Sequence, residues 1–390
     1  MKDTIIEKLI KREDLRQKKV INLIASENYV SDDVLTALGS TLTNKYSEGY
    51  PGRRYYGGNE VIDEIEDLAR TRALSLFKLD PKKWHVNVQP LSGSPANLAV
   101  YSALVPLGGK IMGLKLSSGG HLTHGQSVSM TGKIWKQVPY EVDAKTEQLD
   151  YKVLEQIALT EKPDIIVAGF TAYPRFVDFK KFAAIAKKSQ SLLMVDMSHF
   201  AGLVAGEAYP SPFLYADIVT TTVHKTLRGP RSAMIFVRKD KRDMDKKIDK
   251  IIIPGLQGGP HNNQIAAVAV ALKEASVPAF KKYAKQVIKN AQALGEALQK
   301  KGWRLITDGT DSHLLLVDTW EQGKGISGKD ASDRLEKVGI IVNMNTIPQD
   351  PRGVMDPSGI RVGTAAVTTL GMKEKDMQTI AEKIDKALRR

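Results

Sequence analysis

Residues 165–196 of this 390-residue chain read IIVAGFTAYPRFVDFKKFAAIAKKSQSLLMVD, and this stretch decides the fold class. Two short apolar runs, Ile165–Ala168 and Leu192–Val195, are typical of buried strands. Between them, Phe179–Ser189 carries apolar residues at helical spacing. A strand, a helix and a second strand at this spacing predict a βαβ unit, whose two strands lie parallel in one sheet.

The same alternation continues on both sides of that unit. Further apolar runs are Ile111–Leu116, Ile218–Val223 and Met234–Val237, and helical patterns such as Tyr151–Thr160 lie between runs. We therefore predict an α/β fold with a mostly parallel sheet sandwiched by helices. In such sheets the chemistry collects at the loops that leave the carboxyl ends of the strands.

The pattern divides the chain into three parts. Residues 1–24 are predicted to form an amphipathic arm, residues 25–265 a large α/β domain and residues 266–390 a smaller α+β C-terminal domain. One long helix over about residues 264–301 is predicted to join the two domains, directly after the Gly/Pro-rich loop Pro254–Pro260. A short strand is predicted over Ile340–Asn343 in the smaller domain.

Composition excludes several classes of function. The chain has no cysteine, which excludes disulfides, thiol nucleophiles and thiolate metal sites. No apolar run approaches the ~18 residues of a membrane span. The first 19 residues mix acidic and basic side chains, unlike a secretory signal, so we expect a cytoplasmic protein with no membrane partner.

The net charge of +13 leaves two interpretations open. A basic surface suits nucleic acid, and it also steers anionic small molecules. The densest basic run, Arg238–Lys250, alternates with aspartates and predicts an exposed helix. No nucleic-acid-binding motif accompanies it, so we expect no nucleic-acid partner.

Four polar segments follow a predicted strand or open a predicted helix. Lys225 ends the strand that begins at Ile218, where a desolvated amine can form a Schiff base, although most lysines are surface charges. Asp196 ends another strand and can bind a cation, a ribose or a protonated ring nitrogen, or simply cap a helix. Ser92–Asn97 opens a helix and suits either a phosphate or an ordinary cap. Arg361, between glycines, can clamp a carboxylate or form a structural ion pair.

Together the four segments supply what pyridoxal phosphate requires. That cofactor needs an imine-forming lysine, an acid at its ring nitrogen and a phosphate-binding loop. The arginine adds a clamp for the carboxylate of an amino acid. We therefore predict a pyridoxal-phosphate site that acts on an amino acid.

Longer motifs run along nearly the whole chain. They are Leu23–Asn28, Lys45–Gly52, Arg54–Gly58, Gly119–Gly125, Val195–His199, His224–Arg231, Pro254–Pro260 and Ser358–Thr364. In this order they resemble the serine hydroxymethyltransferase family of fold type I pyridoxal-phosphate enzymes. The resemblance implies transfer of the hydroxymethyl carbon of L-serine to tetrahydrofolate, which gives glycine and 5,10-methylenetetrahydrofolate.

The resemblance also implies roles around the cofactor. Lys225 would hold the cofactor as an imine, Asp196 would pair with its ring nitrogen, and His121 would stack on its ring. The other implied cofactor contacts are Thr171, His199 and His224 near the ring, Ser92, Gly93 and Ser94 at the phosphate, and Tyr46, Gly258 and Gly259, with Tyr46 and Gly259 reaching the phosphate from a neighbouring subunit.

A second set of implied roles concerns the substrates. Arg361 would bind the serine carboxylate with help from Ser26. Glu48 and Tyr56 would cross the interface of a homodimer and move protons at the serine hydroxyl and the folate. The folate pocket would be lined by Leu116, Gly120, Leu122 and Asn345.

The chain departs from the family pattern at a few places. They are Ser118, Gln126-Ser127, Val223, Ser232-Ala233 and Thr369-Leu370-Gly371. None is one of the implied catalytic residues, so the implied class of chemistry is unchanged. The departures bear instead on folate affinity and on the preference for serine over other β-hydroxy amino acids.

Three alternatives remain at this point. A threonine-aldolase-like enzyme would use Lys225 and Arg361 without folate. A nucleotide-binding protein would use Gly323–Lys329, which has P-loop spacing but continues with Asp330, a poor neighbour for a phosphate. A metal site at His121 and His124 lacks an acidic partner nearby in sequence, so we expect ring stacking there and no metal.

Overall fold

The computed structural model describes residues 1–240 and 242–389, so Lys241 and Arg390 lie outside the described residues. The helices are α1 (Thr4–Lys19), α2 (Asp32–Leu38), α3 (Glu60–Leu76), α4 (Gly93–Leu104), α5 (Met130–Ile134), α6 (Tyr151–Glu161), α7 (Phe179–Ser189), α8 (Ala201–Ala205), α9 (Met244–Lys250), α10 (Asn262–Ala275), α11 (Pro278–Lys300), α12 (Gly328–Lys337), α13 (Ala365–Thr369) and α14 (Glu374–Leu388). The strands are β1 (Ile21–Asn22), β2 (Gly49–Tyr50), β3 (Arg53–Arg54), β4 (Trp84–Asn87), β5 (Lys110–Leu114), β6 (Lys136–Tyr140), β7 (Ile165–Ala168), β8 (Leu192–Asp196), β9 (Ile218–Thr222), β10 (Ala233–Arg238), β11 (Arg304–Leu305), β12 (Leu314–Asp318), β13 (Ile340–Ile341), β14 (Asn343–Asn345) and β15 (Gly359–Gly363).

The larger sheet confirms the predicted fold class. In the described part of the chain it has seven strands in the order β4-β10-β9-β8-β7-β5-β6, and β10 pairs antiparallel with both of its neighbours. Along β7, Ile165 packs into the core on one face and Ile166 into the core on the other. Both faces are therefore covered by helices, as a parallel sheet of continuous apolar strands requires.

Register at the middle of the sheet positions the site. Strands β8 and β9 are parallel, and Asp196 at the end of β8 pairs with Thr220 of β9. The predicted strand Ile165–Ala168 and the predicted helix Phe179–Ser189 match the observed elements residue for residue. Because parallel strands end at the same edge, the polar segments after β8 and β9 meet there.

The smaller sheet belongs to the C-terminal part of the chain. Among the described residues it has four antiparallel strands in the order β11-β12-β15-β14, covered by α11, α12 and α14. Residues of α10 and the first half of α11 pack into the core of the larger sheet, whereas Leu294 and Leu298 pack into the smaller core. The division at residue 265 stays a prediction, and this packing favours a division farther along, within α11.

Three predicted elements differ from the structure. The long helix predicted over residues 264–301 is two helices, because Val277 is extended and Pro278, which lacks an N–H, begins α11. The strand predicted over Ile340–Asn343 is also two, since β13 pairs with β1 and β14 pairs with β15. In the basic run Arg238–Lys250, α9 forms only from Met244 onward.

The glycine-rich segment Gly323–Lys329 leads into α12, which begins at Gly328. The Ser327 hydroxyl accepts a hydrogen bond from the Asp330 N–H, and the Gly328 N–H donates to the Pro357 carbonyl. These bonds use the backbone donors that a P-loop would direct to a phosphate. No helix within residues 1–240 or 242–389 combines the length and apolar character needed to cross a membrane.

Candidate active site

A narrow enclosed cavity lies at the carboxyl ends of β8 and β9, beside the first turn of α4. The residues that line it are Gly93, His121, His124, Phe170, Thr171, Asp196, Ser198, His199, Thr222 and Lys225. Six of these, Gly93, His121, Thr171, Asp196, His199 and Lys225, are predicted cofactor residues that lie far apart in sequence. The fold therefore brings the predicted lysine and carboxylate to one cavity.

Asp196 is held by four hydrogen bonds. Its Oδ1 accepts from the backbone N–H of Ser198 at 3.1 Å and from the Ser198 hydroxyl at 2.5 Å. Its Oδ2 accepts from Asn97 Nδ2 at 2.9 Å and lies 3.2 Å from His124 Nε2. Burial opposes ionisation of Asp196, but the bonds from His124 and Ser198 outweigh it, so the pKa of this carboxyl lies well below its usual range. Asp196 thus presents a fixed negative charge to the cavity.

Lys225 lies just beyond β9 with its amine inside the cavity. Its Nζ donates to the Thr222 hydroxyl at 3.1 Å, a neutral acceptor. Burial lowers the pKa of Lys225 to about 8; Asp196 opposes the shift, and the charges of Arg361 and Arg231 add to it. About a tenth of the amine is therefore uncharged at neutral pH, far more than for an exposed lysine, and the uncharged form is the one that attacks an aldehyde.

His121 lies on a turn that only glycine permits. A Cβ on Gly120 would lie 1.9 Å from the Leu114 carbonyl oxygen. The Thr171 hydroxyl donates its one hydrogen to the Gly120 carbonyl at 2.8 Å, with the Gly119 carbonyl at 3.1 Å sharing it, and fixes the turn from the other side. Burial lowers the pKa of His121 to about 4, with a smaller effect from His124, so the ring is uncharged at neutral pH. A neutral ring is suited to stacking on another ring.

The backbone N–H groups in the first turn of α4 receive no side-chain cap. Ser92 is the N-cap residue, and its side chain makes no capping hydrogen bond. A Cβ on Gly93 would meet the Thr222 methyl at 2.7 Å, so glycine lets the helix approach β9 closely. An uncapped helix N-terminus with serines at positions 92 and 94 is a suitable binding site for a phosphate group.

Arg361 extends from β15 of the smaller sheet toward the larger one. Its Nε donates to Asn343 Oδ1 at 3.0 Å and its Nη1 to the Thr171 carbonyl at 2.6 Å. Among the described residues no carboxylate forms an ion pair with it, although burial lowers its pKa to about 10. The guanidinium is therefore oriented by neutral groups, and its charge remains available for an anionic ligand.

Ser26 and His224 line a neighbouring cavity next to the arm. Helix α1, Arg231 and Tyr29 border the same cavity. His224 Nδ1 is buried without a hydrogen-bond partner, and burial lowers the pKa of His224 to about 3, with further effects from Lys225 and Arg231. Both residues therefore lie beside the Lys225 cavity rather than in its lining.

Five other predicted site residues form a separate group, which we call the Tyr46 cluster: Tyr46, Glu48, Tyr56, Gly258 and Gly259. The Tyr46 hydroxyl donates to Glu48 Oε1 at 3.2 Å, and the Tyr46 and Tyr56 rings meet edge to face at 5.0 Å. The two glycines lie against Glu48 and the Tyr46 ring. Tyr46 is 53% exposed and Tyr56 47%, and no member of the cluster lines the Lys225 cavity. A single chain does not bring the two groups together.

The predicted folate residues lie around the Gly120 turn and at the end of β14. Leu122 is exposed and Leu116 half-buried, both beside the Gly120 turn. Asn345 ends β14, where it pairs with Gly359, two residues before Arg361. Their exposure leaves apolar and amide groups available for a ligand.

Several contacts are absent from the sequence predictions. His124, expected to stack, has its Nε2 at Asp196, and Asn97 also binds that carboxylate. His313, with no motif around it, is buried with its Nε2 3.3 Å from His199 Nδ1. Asn97 belongs to the segment Ser92–Asn97 and His124 to the motif Gly119–Gly125. A motif does not show which of its residues contact residues of another motif.

The residues present fit pyridoxal phosphate. One enclosed cavity combines a buried amine, an ionised carboxylate, a neutral imidazole and a helix N-terminus whose N-cap side chain is free. These are the groups that bind the aldehyde, the ring nitrogen, the ring face and the phosphate of that cofactor. Over the part of the chain that the structure describes, no three His, Asp or Glu side chains are placed to hold a metal ion.

Comparisons with known proteins agree with this geometry. A family model described as serine hydroxymethyltransferase matches residues 1–384. A serine hydroxymethyltransferase from Desulfotalea psychrophila is 52% identical over 386 residues, covering 99% of this chain and 88% of the relative. One from Sorangium cellulosum is 53% identical, covering 98% and 88%. A protein of Schizosaccharomyces pombe named probable cytosolic serine hydroxymethyltransferase is 50% identical, covering 99% and 85%.

Proposed function

The chain belongs to the serine hydroxymethyltransferase family, and we propose that the Lys225 cavity is the site of its chemistry. The activity is the reversible transfer of the hydroxymethyl carbon of L-serine to tetrahydrofolate, with pyridoxal phosphate as cofactor. The observation that supports the site most strongly is that a buried amine and an ionised carboxylate line the same enclosed cavity.

The roles proposed around the cofactor are supported by the contacts of Lys225, Asp196 and His121. When bound, pyridoxal phosphate supplies an electron-accepting ring for the electrons of the bond that breaks at the substrate Cα. Lys225 would hold its aldehyde through the uncharged amine, Asp196 would keep the ring nitrogen protonated, and His121 would stack on the ring. The other proposed cofactor contacts are Thr171 and His199 near the ring, His224 from the neighbouring cavity, and Ser92, Gly93 and Ser94 at the phosphate.

Arg361 is proposed to bind the substrate carboxylate. Its guanidinium is oriented by Asn343 and Thr171, so two N–H groups can face the carboxylate without rearrangement. Ser26 assists from the neighbouring cavity. Leu116, Gly120, Leu122 and Asn345 are proposed to line the folate pocket.

Dependence on folate separates this function from a folate-independent aldolase that acts on threonine or related β-hydroxy amino acids. Serine cleavage by the purified enzyme loaded with pyridoxal phosphate is expected to rise on the order of 10²-fold when tetrahydrofolate is added, because a positioned amine traps the one-carbon unit. Glycine formation is measured with and without tetrahydrofolate, and Lys225→Ala enzyme reports the uncatalysed background. Equal rates in the two conditions would favour the aldolase.

We also propose that the enzyme is a homodimer in which each Tyr46 cluster completes the partner's site. Two observations support this. The Tyr46 cluster is about half exposed and lies outside the Lys225 cavity of its own chain. Helix α1 has no buried residue and exposes Ile5, Ile6, Leu9, Ile10 and Leu15, an apolar surface suited to a second copy. In this arrangement Glu48 and Tyr56 move protons at the serine hydroxyl, while Tyr46, Gly258 and Gly259 bind near the phosphate.

Mixing two inactive variants tests the shared site. Lys225→Ala and Glu48→Gln subunits, each inactive alone, are expected to recover about one quarter of the wild-type activity after denaturation and refolding together, since one site in each mixed dimer keeps both residues. Refolding Lys225→Ala with Arg361→Ala is the control, because these residues act in the same chain and no mixed dimer has an intact site. Absence of recovery in the first mixture contradicts the shared site.

A cytoplasmic location is proposed as well. Its support is the printed name of the Schizosaccharomyces pombe relative, which calls that protein cytosolic.

A further inference from the structure

A line of buried side chains joins Asp196 to His121 and has no role in the chemistry described above. It consists of Asn97 on α4 and Thr123 after the Gly120 turn, with Thr220 of β9 at its side. Asn97 and Thr220 are 1% exposed and Thr123 is 5% exposed. Because polar groups at such depth must pair within the protein, every hydrogen on this line can be placed.

The amide of Asn97 has one orientation. The Asp196 carboxylate only accepts hydrogen bonds, so the group 2.9 Å from its Oδ2 must be the amide nitrogen. The amide oxygen then accepts from the Thr220 hydroxyl at 2.8 Å. The second N–H of the amide donates to the Thr123 hydroxyl oxygen at 2.9 Å. Both N–H groups of Asn97 are thereby used.

The orientation of Asn97 determines the proton of Thr123. Its hydroxyl oxygen accepts from Asn97, and the acceptor within reach of its own hydrogen is His121 Nδ1 at 2.7 Å. The Thr123 backbone N–H donates to the same Nδ1 at 3.2 Å. A protonated Nδ1 would oppose both donors. Since the ring is uncharged at neutral pH, its single proton is on Nε2.

We propose that Asn97 and Thr123 are positioning residues that hold the His121 ring in one orientation and one tautomer, with Nδ1 accepting and Nε2 protonated. The proposal rests on the proposed function only for the placement of the cofactor ring against His121. The tautomer itself is set by contacts within the protein. The line also ties the carboxylate that binds the ring nitrogen to the imidazole that covers the ring face. These two groups therefore keep a fixed relative position.

Spectroscopy of the histidine rings tests the tautomer directly. The holoenzyme is labelled with ¹⁵N-histidine, and the His121 signals are identified by their loss in His121→Asn. The unmodified enzyme is expected to show Nδ1 as an unprotonated nitrogen and Nε2 as a protonated one. In Thr123→Val, which removes the hydroxyl but keeps the shape, the Nδ1 signal is expected to move toward the protonated position, and kcat to fall about tenfold.

Two matched variants serve as controls. Thr123→Ser restores a hydroxyl and should restore both the Nδ1 signal and kcat. Thr310→Val removes a hydroxyl from another threonine that is 5% exposed, outside the site, and should change neither readout.

Two outcomes overturn the proposal: a protonated Nδ1 in the unmodified enzyme, or a Thr123→Val enzyme that matches Thr123→Ser in both readouts. Should Thr123→Val fail to fold, the spectra of the unmodified enzyme and of Thr123→Ser still decide the tautomer. If the spectra show the expected tautomer but serine cleavage does not depend on folate, the proposed function is rejected and this inference still holds.

Discussion

Lys225→Ala enzyme is expected to lose serine turnover on the order of 10⁴-fold, the largest effect of any single substitution in the site. The physical reason is that no other amine lines the cavity within the described residues, so nothing replaces Lys225 as the covalent attachment point. Glycine formation in the presence of tetrahydrofolate measures the loss. Borohydride reduction followed by mass spectrometry should find the cofactor covalently attached in the unmodified protein and not in the variant.

Lys225→Arg is the matched control for charge. It keeps a cation opposite Asp196 but has no amine that forms an imine, so it should be as inactive as Lys225→Ala. Activity above about 1% of the wild type in either variant would mean that another group carries the cofactor.

Arg361→Ala is expected to lower kcat/KM for serine about 10³-fold. Removing one partner of a buried charge pair costs about 4 kcal/mol, which corresponds to that factor. Most of the loss should appear in KM, because Arg361 holds the carboxylate before and during bond breaking alike. Steady-state kinetics with serine and saturating tetrahydrofolate measure the change.

Two further variants show whether the loss is specific. Arg361→Lys keeps the charge without the planar fork and should fall between the wild type and Arg361→Ala. Arg238→Ala removes an arginine that donates to the carbonyls of Phe213 and Ala216 and lies over the Trp84 ring. None of these residues lines the cavity, so KM should be unchanged. An unchanged KM in Arg361→Ala would remove Arg361 from the substrate site.

Local patterns in the sequence predicted most of the fold. Strand Ile165–Ala168 and helix Phe179–Ser189 match because the strand is a continuous apolar run and the helix has a clear period. The break at Val277–Pro278 escaped prediction because the apolar pattern continues across it, so periodicity outweighed the proline. The split of the strand near Ile340 depends on partners far along the chain, which no local pattern contains.

The sequence predicted which residues belong to the site better than it predicted which of them contact each other. Lys225, Asp196 and Gly93 stood out because each follows a strand or opens a helix, and all three line one cavity. The pairing of His124 with Asp196, and the contact of His313 with His199, require distances across the fold. Spacing along a chain does not supply such distances.

The bond from Arg361 Nη1 to the Thr171 carbonyl has a stereochemical consequence. The same threonine fixes the turn that carries His121, so the guanidinium and the imidazole share one rigid support. A tetrahedral carbon anchored through its carboxylate at Arg361 and through its nitrogen near Lys225 has only two mirror-image ways to direct its remaining substituents. The two enantiomers of a substrate held in this proposed way would direct their side chains to opposite sides of the plane through the two anchored groups. The enzyme should therefore discriminate between L-serine and D-serine through the Thr171 segment, which lies outside the reacting atoms.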